Sequence, residues 1–380
     1  MKIVIVILFV LFSVCAKASE VSVASIINLE KKLNILKSEI FIAGNNSQEI
    51  NESFSLYYIK NKSWLKSLKS ISPNDIDTSA EYKNYNNILY GISLQGVENK
   101  KQALKFYKKV PRSSIYYATA QLNISLLYFH DGYINKALVK LNKLLSDSSV
   151  NLNYRIKNKI LLVLGYLYLK NNKFNESRVI FRKIPVGSIY FNRAIIGVAL
   201  AANQINDYSA SENVLLFLQK NMIYDLAVDE SYILLAYTYE TQMEFSKAAI
   251  AYEKAISHYS KRVKNINELL YESSQLNMDE VINKHIFVVS SNQIDLLEML
   301  PHRFFDNYSQ SKQLLIKISG LVDKESKMHK RASVLVSDYR KIITPLLVDQ
   351  LVIRKNILLD YINQSRYRLA TSKDRSSAFR

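Results

Sequence analysis

The apolar and small residues in the middle of the chain recur at a fixed spacing. The run YKKVPRSSIYY at 107–117 returns as FRKIPVGSIYF at 181–191, which is 74 residues later. At the same offset Gly91 aligns with Gly165, and Ala103 aligns with Ser177. A fixed period in a chain that has only 8 Gly and 5 Pro is typical of a stacked array of helices.

The 74-residue offset divides into a unit of 34 residues and a unit of about 40, because the same pattern surrounds Ser125, 34 residues after Gly91, and Ala199, 34 residues after Gly165. A fifth copy is centred on Ala236. Each copy has a small residue among apolar ones, a second small residue 12 positions later, and an aromatic residue or Leu four positions after that. The small residues let two antiparallel helices approach closely, and the larger residue fills the space beside them.

This order of small and aromatic positions resembles the tetratricopeptide repeat, whose unit of about 34 residues is a helix-turn-helix. The resemblance covers about residues 84–262, and it departs from the consensus because no copy has Trp at the start of its first helix and because the prolines come early. The element K-[VI]-P-x-x-S-x-Y-[YF] is similar to a variant found in exported bacterial repeat proteins. The resemblance implies an all-α fold, a right-handed α-α superhelical solenoid, with units at 84–117, 118–151, 158–191, 192–225 and 229–262.

The two flanks of the array follow other helical patterns. Residues 21–43 and 48–70 have apolar residues at helical spacing, which predicts a helical hairpin that caps the array within 19–83. From about Asn265 the spacing predicts long helices, as a C-terminal bundle or an antiparallel coiled coil over 263–380. Thr344-Pro345 either begins a new helix or kinks a long one.

The N-terminus has the pattern of an export signal. Lys2 precedes an apolar stretch, and Ala16-Lys17-Ala18 fits a cleavage site, which predicts a signal peptide at 1–18 with cleavage after Ala18. A lipoprotein acylated on Cys15 is the alternative, although Val14 before it is larger than that processing prefers. Cys15 is the only cysteine, so the mature chain would have no thiol. We expect a periplasmic location.

The net charge of +18 favours anionic partners. We expect no nucleic-acid partner, because an exported protein seldom meets one and the lysines are dispersed. Residues 312–380 hold 15 basic and 6 acidic side chains, which makes the end of the chain a candidate anion-binding tail or a solvated, disordered end. The candidate tail residues are Arg366, Arg368, Lys373 and Arg375.

Candidate chemistry is sparse in this sequence. The five histidines are far apart and match no metal-binding spacing. The run at 91–95 begins like the glycine-framed turn that exposes a nucleophilic serine, but it lacks the closing glycine and a preceding strand. We therefore expect no enzyme activity, no cofactor and no metal.

The tetratricopeptide resemblance implies that the first helix of each unit lines a concave, partner-binding groove. The predicted groove residues are Tyr85, Gln95, Phe129, Lys159, Tyr166, Arg193, Asn203 and Tyr237. We expect Lys159 and Arg193 to clamp a carboxylate, unless these side chains pack against neighbouring helices or under the C-terminal bundle. The predicted function is a non-enzymatic periplasmic scaffold that binds envelope proteins or peptides. The alternative is attachment to anionic membrane or cell wall through the basic C-terminal region.

Overall fold

A computed structural model describes residues 80–150, 152–220, 225–272, 286–289, 292–295, 302–320 and 323–378, together with Leu68. The predicted signal peptide and N-terminal helical hairpin lie outside the described residues, apart from Leu68. Within the described ranges, no helix combines the length and the apolar character that a membrane span requires.

Ten of the described helices form five consecutive pairs. The first helices of the pairs are α1 (Ala80–Gly96), α3 (Tyr117–His130), α5 (Tyr154–Lys170), α7 (Phe191–Gln204) and α9 (Leu226–Thr241). The second helices are α2 (Lys100–Lys108), α4 (Ile134–Ser146), α6 (Phe174–Arg182), α8 (Tyr208–Gln219) and α10 (Phe245–Glu272). Each second helix packs on its own first helix, and α2, α4, α6 and α8 also pack on the first helix that follows. The predicted all-α array of helix pairs is therefore confirmed.

The small positions of the repeat make room for the large ones. Tyr107 and Phe181 are fully buried, and a Cβ atom added to Gly91 or Gly165 would come within 2.4 Å or 2.5 Å of the respective ring. Ser177, the small residue of α6, donates a hydrogen bond of 2.9 Å to the Gly165 carbonyl. The periodic pattern of small and aromatic residues thus corresponds to direct contacts between the two helices of a pair.

The turn inside each pair contains one residue in the left-handed conformation. These residues are Glu98, Gly132, Asn172, Asn206 and Met243, with φ between 57° and 83°. A left-handed residue just after a helix allows the next backbone N–H groups to bond the last carbonyls, as Lys173 N does with Tyr168 O at 2.9 Å. All five turns therefore have the same geometry, although only one of them uses glycine.

The proline motif forms the same loop in the first and third pairs. The N–H groups of Ser114 and Ser188 bond to the carbonyls of Pro111 and Pro185, each at 3.0 Å. The serine hydroxyls then accept the N–H groups of Tyr116 and Tyr190. The recurring sequence therefore encodes a recurring link to the next first helix.

The C-terminal region differs in one respect from its prediction. Two short strands, β1 (Ile286–Val289) and β2 (Asn292–Asp295), pair with each other inside the stretch for which we predicted only helices. The sequence of β1, IFVV, consists of β-branched and aromatic residues, which favour strands. Two helices follow, α11 (His302–Ser319) and α12 (Lys327–Ala378). Thr344-Pro345 lies inside α12 and does not begin a new helix.

The chain divides into two compact units. One unit includes the described residues 80–263 and 358–378, and we call it the repeat body. Its second part, residues 358–378, is the last stretch of α12, and we call it the closing segment. The other unit includes the described residues 264–272, 286–289 and 302–357.

Candidate functional site

Helix α5 presents one solvent-facing stripe in the middle of the repeat body. Its members lie at helical spacing, so they share one face. Three of them are exposed cations, and the other three are half-buried apolar or aromatic residues that lie between the second and the third cation. The α5 stripe consists of Arg155, Lys159, Leu162, Val163, Tyr166 and Lys170.

Lys159 is in an unusual electrostatic environment. Desolvation by the surrounding protein lowers the pKa of its ammonium below the ordinary value, and the nearby Arg155 guanidinium lowers it further. The side chain is nevertheless exposed to solvent, so its ammonium remains accessible to a ligand. Within the described part of the chain, no acidic side chain forms an ion pair with Lys159 or Arg155. This pair of cations therefore favours an anionic ligand.

Tyr166 gives the stripe a fixed aromatic surface beside these cations. Its hydroxyl donates a 3.1 Å hydrogen bond to the Arg193 carbonyl, and its ring meets Phe181 edge-on at 5.0 Å. Burial raises the pKa of this hydroxyl, so it stays protonated and acts as a donor at physiological pH. A half-buried ring held at both ends offers apolar area at little cost in side-chain entropy.

Arg193 does not act as the second half of the predicted carboxylate clamp. Its guanidinium lies 2.5 Å from the Glu230 carboxylate, which is itself buried. Burial is the largest single influence and would lower the pKa of this guanidinium, but Glu230 together with Tyr166, Asp225 and Tyr361 raises it above the ordinary value. The Tyr361 hydroxyl donates to the other Glu230 oxygen at 3.1 Å. Arg193 therefore joins α7 to α9 inside the protein.

The other predicted groove residues have mixed environments. The Tyr85 ring packs 5.0 Å from Tyr116, and Gln95 accepts a 3.1 Å hydrogen bond from the Tyr107 hydroxyl. Phe129 packs against the core, whereas Tyr237 is half-buried on α9.

Asn203 was predicted to line the groove, but the structure buries it. Its amide donates to the Thr238 hydroxyl at 2.9 Å. This bond joins α7 to α9, so Asn203 links two units and does not line an accessible surface.

Three of the four predicted tail cations are paired within the repeat body. Arg368 donates to the Glu240 carboxylate at 3.0 Å, and Arg375 lies 3.8 Å from the same group. Lys373 lies 2.7 Å from Glu253, whereas Arg366 is exposed. The tail is helical to Ala378, and its cations hold the closing segment on the fifth pair.

The closing segment buries one face on the last pair. Leu358, Tyr361, Ile362, Ser365 and Ser372 are buried at helical spacing. Leu369 packs against the cluster formed by α9 and α10, which includes Ala236 and Tyr252. The end of an array exposes an apolar face that needs a cover, and the closing segment provides it.

A buried polar cluster on α9 and α10 was not predicted from sequence. The fully buried Asp229 carboxylate lies 2.8 Å from His258 Nε2 and 3.4 Å from Arg262 Nε. The Tyr232 ring stacks on His258 at 3.8 Å. The spacing of 29 residues between Asp229 and His258 follows no known motif, so only the helix pairing reveals it. Because Asp229 has no exposed surface, a substrate has no access to its carboxylate.

Among the described residues, no three or more His, Cys, Asp or Glu side chains are grouped so that they could hold a metal ion.

No family model matches the chain, and no curated protein matches it. Among solved structures, the chain is similar to a tetratricopeptide repeat protein from Parabacteroides merdae, with 15% identity, a TM-score of 0.42, and coverage of 78% of this chain and 99% of that one. It is also similar to the apo form of RapI, with 12% identity, a TM-score of 0.42, and coverage of 84% and 95%. A Rap protein complexed with competence and sporulation factor matches with 13% identity, a TM-score of 0.39, and coverage of 86% and 99%.

Proposed function

We propose that this protein is a non-enzymatic scaffold that binds an acidic segment of another protein along the α5 stripe. The observation that carries the proposal is the pair of neighbouring cations Arg155 and Lys159, which have no acidic partner among the described residues; desolvation also acts on the Lys159 ammonium. An incoming carboxylate would supply the missing charge, and partial desolvation strengthens that attraction.

The apolar members of the stripe determine what kind of acidic ligand fits. Leu162, Val163 and Tyr166 are half-buried beside the cations, so a ligand gains by covering them. A small inorganic anion would leave this area exposed. A peptide that has a carboxylate next to an apolar or aromatic side chain would engage both parts of the stripe.

The proposed location follows from the predicted signal peptide. If cleavage follows Ala18, the protein meets its partner in the periplasm, and the natural ligands are envelope proteins or their flexible acidic segments. The alternative function, attachment to an anionic surface through the C-terminal tail, has less support because Arg368, Lys373 and Arg375 are paired with carboxylates of the repeat body.

A peptide selection tests the proposal. Random peptides displayed on phage are selected on the wild-type protein, on the Lys159→Glu variant and on the Lys157→Glu variant. Lys157 is also exposed on α5 but lies outside the stripe, so it serves as the control position. Both variants replace one lysine with glutamate and therefore have the same net charge. We expect acidic peptides with an apolar neighbour to be enriched on wild type and Lys157→Glu but not on Lys159→Glu. Equal enrichment on all three proteins, or none on wild type, would refute the assignment.

A further inference from the structure

The second helices carry most of the positive charge of the repeat body. Counted over α2, α4, α6, α8 and residues 245–263 of α10, they hold 13 basic and 3 acidic residues. The five first helices hold 6 basic and 4 acidic residues. The charge is therefore concentrated on the helices that lie away from the α5 stripe.

The repeat register shows how this charge is arranged. Each second helix has a small residue that is completely buried, at Ala103, Ala137, Ser177, Ser211 and Ala248. The positions two and six residues later lie on the opposite side of the helix, because one turn takes 3.6 residues. Both positions are exposed in all five units.

These two positions form an aliphatic row and a lysine row. The aliphatic row, two residues after the small position, consists of Val139, Val179 and Ile250, with 70%, 55% and 68% of their surface exposed. The lysine row, six residues after it, consists of Lys109, Lys143, Lys183 and Lys254. The fourth unit replaces the lysine with Phe217, which is 51% exposed. An aliphatic side chain and a lysine thus lie one helical turn apart in three of the five units.

The carboxylates of the second helices do little to neutralise this surface. Glu212 accepts a hydrogen bond from the Tyr239 hydroxyl at 2.6 Å, and Glu253 is paired with Lys373. Glu176 is exposed in the first turn of α6, where its negative charge interacts favourably with the positive end of the helix dipole. The outer side of the second helices is therefore cationic and also has exposed aliphatic groups.

A role in helix stability explains only part of the pattern. Lys109, Lys143 and Lys183 lie at or near helix C-termini, where a cation stabilises the helix dipole. Lys254 lies in the interior of α10, so the dipole does not explain it; its ammonium donates a 3.0 Å hydrogen bond to the Gln219 side chain and lies 5.6 Å from the centre of the Tyr232 ring. Nor does the dipole explain why valine or isoleucine is exposed one turn earlier.

We propose that the aliphatic and lysine rows together dock the protein on an anionic lipid bilayer. Lysine is depleted in the cores of protein interfaces, where arginine and aromatic residues dominate, so this surface fits a protein partner poorly. Lysines reach phosphate head groups on flexible stems while isolated aliphatic side chains enter the boundary between head groups and acyl chains. Each lysine near an anionic membrane adds to the electrostatic attraction, which salt screens. The aliphatic groups contribute a hydrophobic part of the binding free energy, which salt does not screen.

Vesicle flotation with matched triple variants tests this assignment. The row variant is Lys143→Gln, Lys183→Gln and Lys254→Gln, and the control is Lys101→Gln, Lys157→Gln and Lys173→Gln, which are exposed lysines outside both the row and the α5 stripe. With phosphatidylglycerol vesicles we expect the row variant to bind at least about tenfold more weakly than wild type, and the control to bind within about twofold. Phosphatidylcholine vesicles are expected to bind none of the three.

The aliphatic row is tested at higher salt. Val139→Asn with Val179→Asn and Ile250→Asn removes the row, and Ile115→Asn with Val186→Asn and Ile189→Asn changes three other exposed aliphatics as a control. At high salt, where the lysine attraction is screened, we expect the variant of the aliphatic row to lose its remaining binding to vesicles and the control variant to keep it. Unchanged thermal unfolding of both variants verifies that they fold.

Three results would overturn the proposal. The first is failure of the wild-type protein to float with phosphatidylglycerol vesicles. The second is equally weakened binding of the two lysine variants, which would leave only unspecific charge attraction. The third is row-dependent binding to soluble polyglutamate without binding to vesicles, which would assign the surface to an acidic polymer or protein. Peptide binding at Lys159 is measured separately, so either proposal fails without the other.

Discussion

A Cβ atom added to Gly197 would lie only 2.3 Å from Cε2 of the Phe181 ring. Gly197 belongs to α7 and Phe181 to α6, so this contact joins the third pair to the fourth. Gly165 of α5 meets the same ring within the third pair. One buried ring therefore sets the separation between three successive helices.

Gly197→Ala is expected to destabilise the protein by about 1–3 kcal/mol, because the buried ring has little room to move. This loss occurs although alanine is the better helix former by about 1 kcal/mol. Gly187→Ala is the control, since a Cβ there meets nothing within 4 Å. Urea unfolding measures both. If Phe181→Leu is added to Gly197→Ala, the combined loss should be smaller than the sum of the two single losses, and additivity would contradict the packing account.

Met243→Gly is expected to stabilise the fifth pair by about 1 kcal/mol, since a side chain at positive φ is strained. Met243 has a φ of 62° and is 75% exposed, so the substitution relieves strain and loses little packing. Met243→Ala removes most of the side chain but keeps the Cβ atom, and we expect no gain from it. A thermal midpoint that rises equally in both variants would show that strain is not the cause.

Arg368→Ala is expected to destabilise the protein by about 1–3 kcal/mol, because the buried Glu240 carboxylate loses a charge-assisted hydrogen bond. Arg366→Ala, two residues earlier on the exposed side of the closing segment, is expected to change stability by less than about 0.5 kcal/mol. Chemical unfolding compares the two variants. Equal effects would mean that Arg368 does not hold the closing segment on the fifth pair.

The two arginines also show where prediction from sequence stops. The 74-residue offset predicted which small and aromatic residues belong to each helix pair, because those contacts are local and repeat with the unit. Arg368 and Glu240 are 128 residues apart, and no repeat relates them. Asn203 was misplaced for a similar reason, since its burial depends on Thr238 of the next unit. The strands at 286–289 and 292–295 lie beyond the repeat, where no periodic pattern distinguishes them from helix.

Lys159→Gln is expected to leave stability at neutral pH unchanged or raise it. Desolvation and the nearby Arg155 lower the pKa of Lys159 in the folded state below the ordinary 10.5. Between the folded pKa and 10.5 the unfolded chain holds more protons, so wild-type stability rises with pH relative to the variant. Urea unfolding of both proteins near neutral pH and at about pH 10 measures the difference. If the free energy of unfolding of wild type minus that of Lys159→Gln stays constant or falls as the pH rises, the electrostatic description of Lys159 is wrong.

The central claim is that Lys159 receives a carboxylate from a bound protein segment, and a charge-swap cycle tests it most directly. One selected acidic peptide and its version with the carboxylate replaced by lysine are titrated against wild type and Lys159→Glu by calorimetry. We predict that Lys159→Glu weakens the acidic peptide by about tenfold or more and that the swapped peptide recovers most of this loss. If Lys159→Glu and the lysine-for-carboxylate change in the peptide act independently, so that the doubly swapped pair regains no affinity, the claim is contradicted.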